Sequence, residues 1–424
     1  MRGKYLSAAK YLSALEGGLG FCDVIFGWDC ADALYGTGGY TGWHTGFPDL
    51  LAKIDPATFR YIPWEQHTAM ALVDYYRRDG TELPFCPRGL LKRITAAAAQ
   101  MGYLPRTAVE YEFFLFDESA GSLHAKQYVD PRPESPGMFC YSLARATSRP
   151  EFVDALFAAL EGVRIELEGF HTETGPGAFE ASLRYDDAVT AADSAGLFKA
   201  TVKEIARQHG LTASFMAKWN ADLPGCGGHV HQSLLEPTNR ENVFAAHDRA
   251  FGASFLALNY LAGQQQFLPE FMAMLAPTIN SYKRLVPGAW APVAATWGVE
   301  NRTNALRLIP GLTSAATRIE TRIPGADASP HLALAACLAA GLHGIKETLE
   351  PTAPTSGNAY EEQNVPTLPL SLHEATQRLR NSQVARSWFG DPFVDHFCMT
   401  RDAEWRAAGG AVTDWELRRY FEVI

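Results

Sequence analysis

The sequence predicts a mixed α+β protein in two parts, a small sheet-rich unit over residues 1–82 and a larger unit over 83–424. Three observations carry that expectation. Up to about residue 80, short apolar runs such as Asp23-Val24-Ile25-Phe26-Gly27-Trp28-Asp29 alternate with glycine and aromatic clusters. At Leu83-Pro84-Phe85-Cys86-Pro87-Arg88 the character changes, and helical and strand-like segments alternate from there on. The length of 424 residues, with 47% hydrophobic and 20% charged side chains, suits a globular chain with a large core.

Each element follows from a local pattern. Tyr35 to Phe47 holds too much glycine for a regular strand and reads as a long loop of the functional kind. A helix is expected over Leu90–Met101 and a strand over Thr107–Phe116, then a Pro-, Ser- and Asp-rich loop from Asp117 to Pro136. Ser148-Arg149-Pro150-Glu151 reads as a capping signal, after which Phe152, Leu156 and Leu160 recur on one helical face. A second helix over Asp187–Gln208 groups Phe198, Val202 and Ile205 and ends at Gly210. The strand Leu211–Met216 follows. Pro351 to Pro369 reads as a surface loop, and Leu370 to Tyr420 as helical.

Composition narrows the partners. A net charge of −10 argues against a nucleic acid, though not against a small anion held by local arginines. Seven scattered cysteines without a CxxC pair fit neither a disulfide framework nor a zinc ribbon, so a reducing cytoplasm is expected. The most apolar helix-like run, Leu332 to Ile345, is too short for a bilayer, so no membrane partner is expected.

The chemistry concentrates in short segments where charged residues stand two apart. In an extended strand such residues share a face. Gly225-Cys226-Gly227-Gly228-His229-Val230-His231-Gln232-Ser233-Leu234 would put His229 and His231 on one surface with Val230 behind, the glycines allowing close approach. Val109-Glu110-Tyr111-Glu112 places two carboxylates together in an apolar run, which is costly without a compensating cation. His171-Thr172-Glu173 and Glu180 flank a Gly-Pro-Gly turn, and Arg318, Glu320 and Arg322 alternate along another run. In isolation, solvated loop glutamates account better for Glu173 and Glu180, and an ion-paired surface strand also accounts for Arg318, Glu320 and Arg322. Together, however, the carboxylates and histidines form an oxygen-rich, cysteine-free set suited to Mg²⁺ or Mn²⁺. Hard cations with nearby arginines, here Arg302, Arg307 and Arg284, are the apparatus of phosphoryl transfer. No Walker loop or kinase signature accompanies them.

With these segments assembled, the chain resembles the glutamine synthetase family. The likeness rests on Val109 to Phe114, Gly175-Pro176-Gly177 with Glu180, and Gly225 to Leu234. It continues through Asn280-Ser281-Tyr282-Lys283-Arg284-Leu285-Val286-Pro287-Gly288, Asn301-Arg302 and Arg318 to Arg322, in the family's order and spacing. The resemblance implies an N-terminal β-grasp domain, an α+β catalytic domain with a curved antiparallel sheet, and a ring oligomer, commonly a dodecamer of two hexamers. It implies that ATP phosphorylates the γ-carboxylate of glutamate and that an amine then displaces phosphate. By motif position, Glu112, Glu173 and Glu180 hold one metal, and Glu110, His229 and Glu320 the other. Arg284 and Arg322, with the Gly225 backbone, bind glutamate. Arg302, Arg307 and Arg318 face the transferring phosphate, while His231, Ser233 and Tyr185 lie where ATP is contacted.

The departures concern the amine. Ammonia-using members carry a glutamate two residues after Pro-Gly on a mobile flap, where this chain has Trp290. The aspartate of the ammonium site corresponds loosely to Asp29, in the altered setting Trp28-Asp29-Cys30-Ala31-Asp32. An indole in place of an anion removes the attraction for ammonium and offers an apolar wall, although its face also binds cations. The expectation is the γ-glutamyl–amine ligase branch, with an aniline-like or small alkyl amine. Tyr35, Tyr40 and Trp43 would add to the pocket or pack the small domain. The competing readings are an ammonia-using or polyamine-using member, and more remotely an inactive ring scaffold. Arg2-Gly3-Lys4 corresponds to a motif some way into the first domain of family members. Tyr360 has neighbours unlike those of the usual adenylylation segment.

Overall fold

The computed structural model describes residues 1–36 and 39–424; Thr37 and Gly38, in the expected Tyr35–Phe47 loop, lie outside the described residues. The first part opens with a helix, Ala8–Gly17, and then forms an antiparallel sheet of β1 (Leu19–Cys22), β2 (Asp49–Tyr61) and β3 (Ala69–Tyr76), in that order. The apolar run at Asp23 is not a strand. Asp23–Phe26 winds into a 3₁₀ turn because the buried Asp23 carboxylate accepts a hydrogen bond from the Thr41 hydroxyl at 2.6 Å, pinning the chain inward.

Among the described residues, nine strands make the second sheet: β4 (Leu104–Phe116), β5 (Leu167–Thr172), β6 (Ala178–Leu183), β7 (Asp186–Asp187), β8 (Thr212–Ser214), β9 (Gly228–Leu235), β10 (Trp297–Val299), β11 (Leu306–Ile309) and β12 (Arg318–Thr321). The order is β10-β11-β12-β9-β4-β6-β5, with β7 and β8 also paired to β4. All pairings are antiparallel except β10 with β11.

The hub is β4, whose alternation decides which side is core. Val109, Tyr111 and Phe113 are buried, and the helix Ala188–Gln208 covers them with Phe198. Glu110 and Glu112 point the other way. The helices Pro87–Gln100, Phe255–Leu275 and Pro330–Lys346 complete the layer behind the sheet, and their apolar faces merge with it into one core. Arg88 bolts the two parts together: buried, it pairs with Asp55 and Asp74 of the first sheet and Asp193 of the second part at 2.8–2.9 Å.

The expected elements hold with local changes. The helix over Pro150–Gly162 buries Phe152, Leu156 and Leu160, but Ser148 does not cap it. Its hydroxyl donates to Arg145 at 2.8 Å and Glu134 at 3.0 Å, and Pro150 begins the helix instead. The Asp117–Pro136 loop contains a short helix, Ala120–Ala125, stabilised by reciprocal Ser119–Ser122 capping bonds. Leu211–Met216 narrows to β8. The segment 370–420 is helical as four pieces from Leu372–Asn381 to Asp414–Tyr420. No helix among the described residues is long and apolar enough to cross a membrane.

Candidate active site

Strand register alone gathers the site. Glu110 lies opposite His229 and Ser182, Glu112 opposite Glu180, Glu320 opposite His231 and Arg307, and His171 opposite Glu180. Directly opposed residues share a face, as do residues two apart. Six strands therefore project Glu110, Glu112, His171, Glu180, His229, His231, Ser233, Arg307, Arg318 and Glu320 onto one surface, with Glu173 just past β5. This surface forms the wall of a cleft of about 1260 Å³, which Tyr185, Arg302, Arg322 and Trp290 also line. His229 and Val230 are both buried, on opposite sides of β9 as the alternation requires.

The acidic groups fall into two clusters whose ligand atoms lie within 4.8 Å of one another: Glu110, His231 and Glu320, and His171, Glu173 and Glu180. His229 stands beside the first, its Nδ1 3.6 Å from Glu320 and 3.9 Å from Glu110. Glu112 stands opposite Glu180 and 3.9 Å from His229 Nε2, with its other oxygen accepting from the Gly227 N–H at 2.6 Å. Burial and the neighbouring Glu110 push the Glu180 carboxyl up to about 11, so it keeps its proton at neutral pH. Glu110 is held well below the usual carboxylate range, the imidazoles of His229 and His231 outweighing its burial. Glu320, despite burial, is drawn down to about 2 by the Arg322 guanidinium at 2.5 Å. Like charges raise the Glu180 carboxyl, and a cation held among these carboxylates would lower it again. The donors are hard oxygens and imidazoles, so the set fits Mg²⁺ or Mn²⁺.

The cations are arranged around the same wall. Arg307 pairs with Glu320 at 3.1 Å and with Glu300, and Arg318 donates to His231 Nδ1 at 3.2 Å. Arg302 is exposed at the cleft. Arg284 is different: it is buried, it donates to the carbonyls of Ile323 (3.0 Å) and Arg322 (3.2 Å), its Nη2 lies 3.5 Å from His229 Nε2, and no carboxylate among the described residues pairs with it. It lines a small recess with Gly225, Glu112, Glu173 and Trp290. The glycines earlier in the run are close-approach positions. A Cβ at Gly225 would sit 2.2 Å from the Ala217 carbonyl and 2.9 Å from the Arg284 side chain, and one at Gly227 2.5 Å from His229 Nε2.

Asp29 is not part of this constellation: its Oδ1 accepts from the Ala31 and Ala33 N–H groups in a local turn of the first part. Other groups join the site beyond the residues that the family motifs imply. His171 faces Glu180 at 3.5 Å, Cys140 donates to Glu173 at 3.3 Å, and Arg106 stacks 5.3 Å from the Tyr185 ring. His171-Thr172-Glu173 repeats the i, i+2 spacing and was the signal for the first; Cys140 and Arg106 carry no sequence signal.

A sequence profile described as glutamine synthetase, catalytic domain, matches residues 84–420. The chain belongs to the glutamine synthetase family. It is a glutamine synthetase-type ligase, and the family uses ATP and divalent metals. Type-1 glutamine synthetase 2 of Dictyostelium discoideum is 45% identical over 428 residues, covering 100% of this chain and 82% of that protein. Glutamate–isopropylamine ligase of a Pseudomonas species is 38% identical over 426 residues, covering 100% of this chain and 92% of that protein. Among solved structures, one described as a GmaS/ADP complex superposes with a TM-score of 0.86 at 30% identity, over 99% of this chain and 93% of the other.

Proposed function

We propose that this glutamine synthetase-family ligase joins the γ-carboxylate of L-glutamate to a hydrophobic or small alkyl amine through γ-glutamyl phosphate. The observation that carries the amine assignment is Trp290, which lines both the main cleft and the recess of Arg284 and Gly225. Trp290 borders both spaces, and in this reading its indole is an apolar wall that favours an uncharged, carbon-bearing amine over ammonium.

In the first step the glutamate γ-carboxylate attacks the γ-phosphorus of ATP and ADP leaves; in the second the amine attacks the acyl carbon and phosphate leaves. Arg284 and Arg322 orient the glutamate carboxylates. Arg302, Arg307 and Arg318 balance charge on the transferring phosphoryl group, while His231, Ser233 and the Tyr185 ring meet ATP. Glu110, His229 and Glu320, and Glu112, Glu173 and Glu180, would hold the divalent ions, with His171 and His231 adjoining. Bound there, Mg²⁺ or Mn²⁺ neutralises the phosphate oxygens and the crowded carboxylates.

The first part of the chain is assigned as a β-grasp domain on residues 1–82, and the whole as a ring, a dodecamer of two hexamers. Exposed apolar side chains along the C-terminal segment, among them Val412, Trp415, Phe421 and Val423, support an assembly of copies. In that ring Asp29 belongs to the amine site of a neighbouring subunit. The free thiols fit the reducing cytoplasm.

A second reading, ammonia as substrate, is favoured by the 45% identity with a protein named as a glutamine synthetase. The test is phosphate release from ATP with glutamate and Mg²⁺, comparing ammonia, isopropylamine, aniline and putrescine. Turnover with isopropylamine or aniline well above ammonia supports the proposal. A preference for ammonia returns the protein to glutamine synthesis, and one for putrescine to polyamine ligation.

A further inference from the structure

The flap that bears Trp290 is held at its centre by two bonds to successive carbonyls. Arg322 Nη2 donates to the Trp290 carbonyl at 3.3 Å, and the Tyr360 hydroxyl donates to the Ala291 carbonyl at 3.1 Å. On the N-terminal side, Gly288 stands in open space with φ +77°, free to act as a pivot. Trp290 itself has φ +60°, a left-handed backbone that a bulky residue leaves when nothing holds it. Trp290 is 58% exposed, so less than half of its surface is covered by packing.

We infer that Tyr360 is a positioning residue for amine selection: its hydroxyl latches the flap and fixes the Trp290 ring over the cleft. The inference rests on the reading of Trp290 as the wall that meets the amine.

Tyr360 is itself carried by a strap that reports on the opposite side of the site. The Asn301 amide donates to the Gly357 carbonyl at 2.7 Å, and the Ala359 N–H donates to the Thr303 hydroxyl at 3.0 Å. Asn358 closes the turn by accepting from the Tyr360 N–H at 3.1 Å. Asn301 and Thr303 flank Arg302, so one strap spans the phosphate-facing turn and the amine-facing flap. Past the flap, the chain is stitched down by Ala295 to Pro366 at 2.8 Å and Leu368 to Val293 at 3.1 Å, whereas Pro287 to Ala291 has, besides the two anchors above, a single long backbone bond from the Ala289 N–H to the Val286 carbonyl at 3.4 Å. Arg322 holds the neighbouring carbonyl while pairing with Glu320, and the glutamate site draws on the same guanidinium. When glutamate engages Arg322, Tyr360 is the holder that remains independent of substrate.

Tyr360→Phe in the full chain removes the hydroxyl and keeps the ring. The readout is the ratio of kcat/KM for isopropylamine to that for ammonia, with KM for ATP and amide exchange across residues 286–295. The ratio falls two- to tenfold, about what one neutral hydrogen bond is worth. Flap exchange quickens, and KM for ATP and Tm stay unchanged. Trp290→Ala is measured alongside. If Trp290→Ala shifts the ratio and Tyr360→Phe does not, the latch is wrong and the reading of Trp290 stands. If Trp290→Ala leaves the ratio unmoved, that reading fails and the latch falls with it. A Tyr360→Phe protein that loses activity equally for every amine, with a lowered Tm, has only a structural tyrosine and also overturns the inference.

Discussion

The strand-built wall and the flap meet at one cleft but are made in opposite ways. On the wall, Glu110, His229 and Glu320 stand on three adjacent strands whose ladders fix them to within a residue; a slip of one place would turn every one of them into the core. Glu320 and His229 are buried, and their neighbours are other site residues. On the flap, Trp290 is exposed, left-handed in backbone and held through main-chain carbonyls rather than through its side chain. Phosphoryl chemistry common to a family suits rigid register, and substrate choice suits a loop that changes without disturbing the sheet.

That contrast predicts the largest effects on the wall, and predicts them alike for every amine. Glu110→Gln is expected to lower phosphate release at least about 10²-fold with ammonia, isopropylamine and aniline equally, since losing even an outer-shell partner of a metal ligand costs 10–100-fold. Glu180→Gln is expected to lose activity as well, but with a stability change of opposite sign to most mutations. Because Glu180 is pushed from 4.5 up to about 11, the folded chain binds more protons than the unfolded one between those values, and its stability falls as pH rises through that interval. Glutamine cannot ionise, so the metal-free variant should gain on the order of 1–3 kcal/mol at neutral pH. It should also lose much of the rise in Tm that Mn²⁺ gives the parent. Thermal melts with chelator and with Mn²⁺ check both; a metal-free Glu180→Gln protein less stable than the parent would contradict the like-charge account.

The same contrast explains what was legible in the sequence. The i, i+2 pairs at Glu110, His229 and Arg318 were readable because period-two alternation is a local property, and β4 shows the alternation it implies. Which strands lie side by side is not local, so the closeness of His231 to Glu110 and Glu320, and of His171 to Glu180, needed the ladder. The buried state of Asp23 and the lost cap at Ser148 were hidden for a related reason: their partners, Thr41 and Glu134, are remote in sequence. Trp290 stood out as a departure from a family pattern, but its left-handed backbone and its two carbonyl anchors had no trace in the residue string. Cys140 reaches Glu173 across 33 residues, with no motif to mark it.

On the flap the predicted effect is smaller and selective. Trp290→Glu should shift the kcat/KM ratio of isopropylamine to ammonia by about tenfold toward ammonia, the scale of an added charge or a lost apolar contact. Tm should hold, because the side chain is exposed. A variant equally impaired with all amines would place Trp290 with the wall and erase the distinction between the two regions.

The smallest effect belongs to Asp29, and it tests whether the cleft is finished by another copy of the chain. Both local bonds of Asp29, from the Ala31 N–H at 2.8 Å and the Ala33 N–H at 2.9 Å, end on Oδ1, so the turn needs that oxygen and leaves Oδ2 to other partners. Asparagine keeps an oxygen for the turn and removes the charge; alanine removes both. Asp29→Ala should therefore cost about 0.5–1.5 kcal/mol of stability, and Asp29→Asn much less. If Oδ2 reaches the amine of a neighbouring subunit, Asp29→Asn lowers kcat/KM for a cationic alkylamine by less than about tenfold, an exposed charge acting through water, and spares neutral aniline. Assemblies refolded from Asp29→Asn and Glu110→Gln chains then exceed the activity of the two parents averaged, because some clefts combine an intact wall with an intact aspartate. Activity that only averages the parents would confine Asp29 to its turn and leave amine choice to the flap.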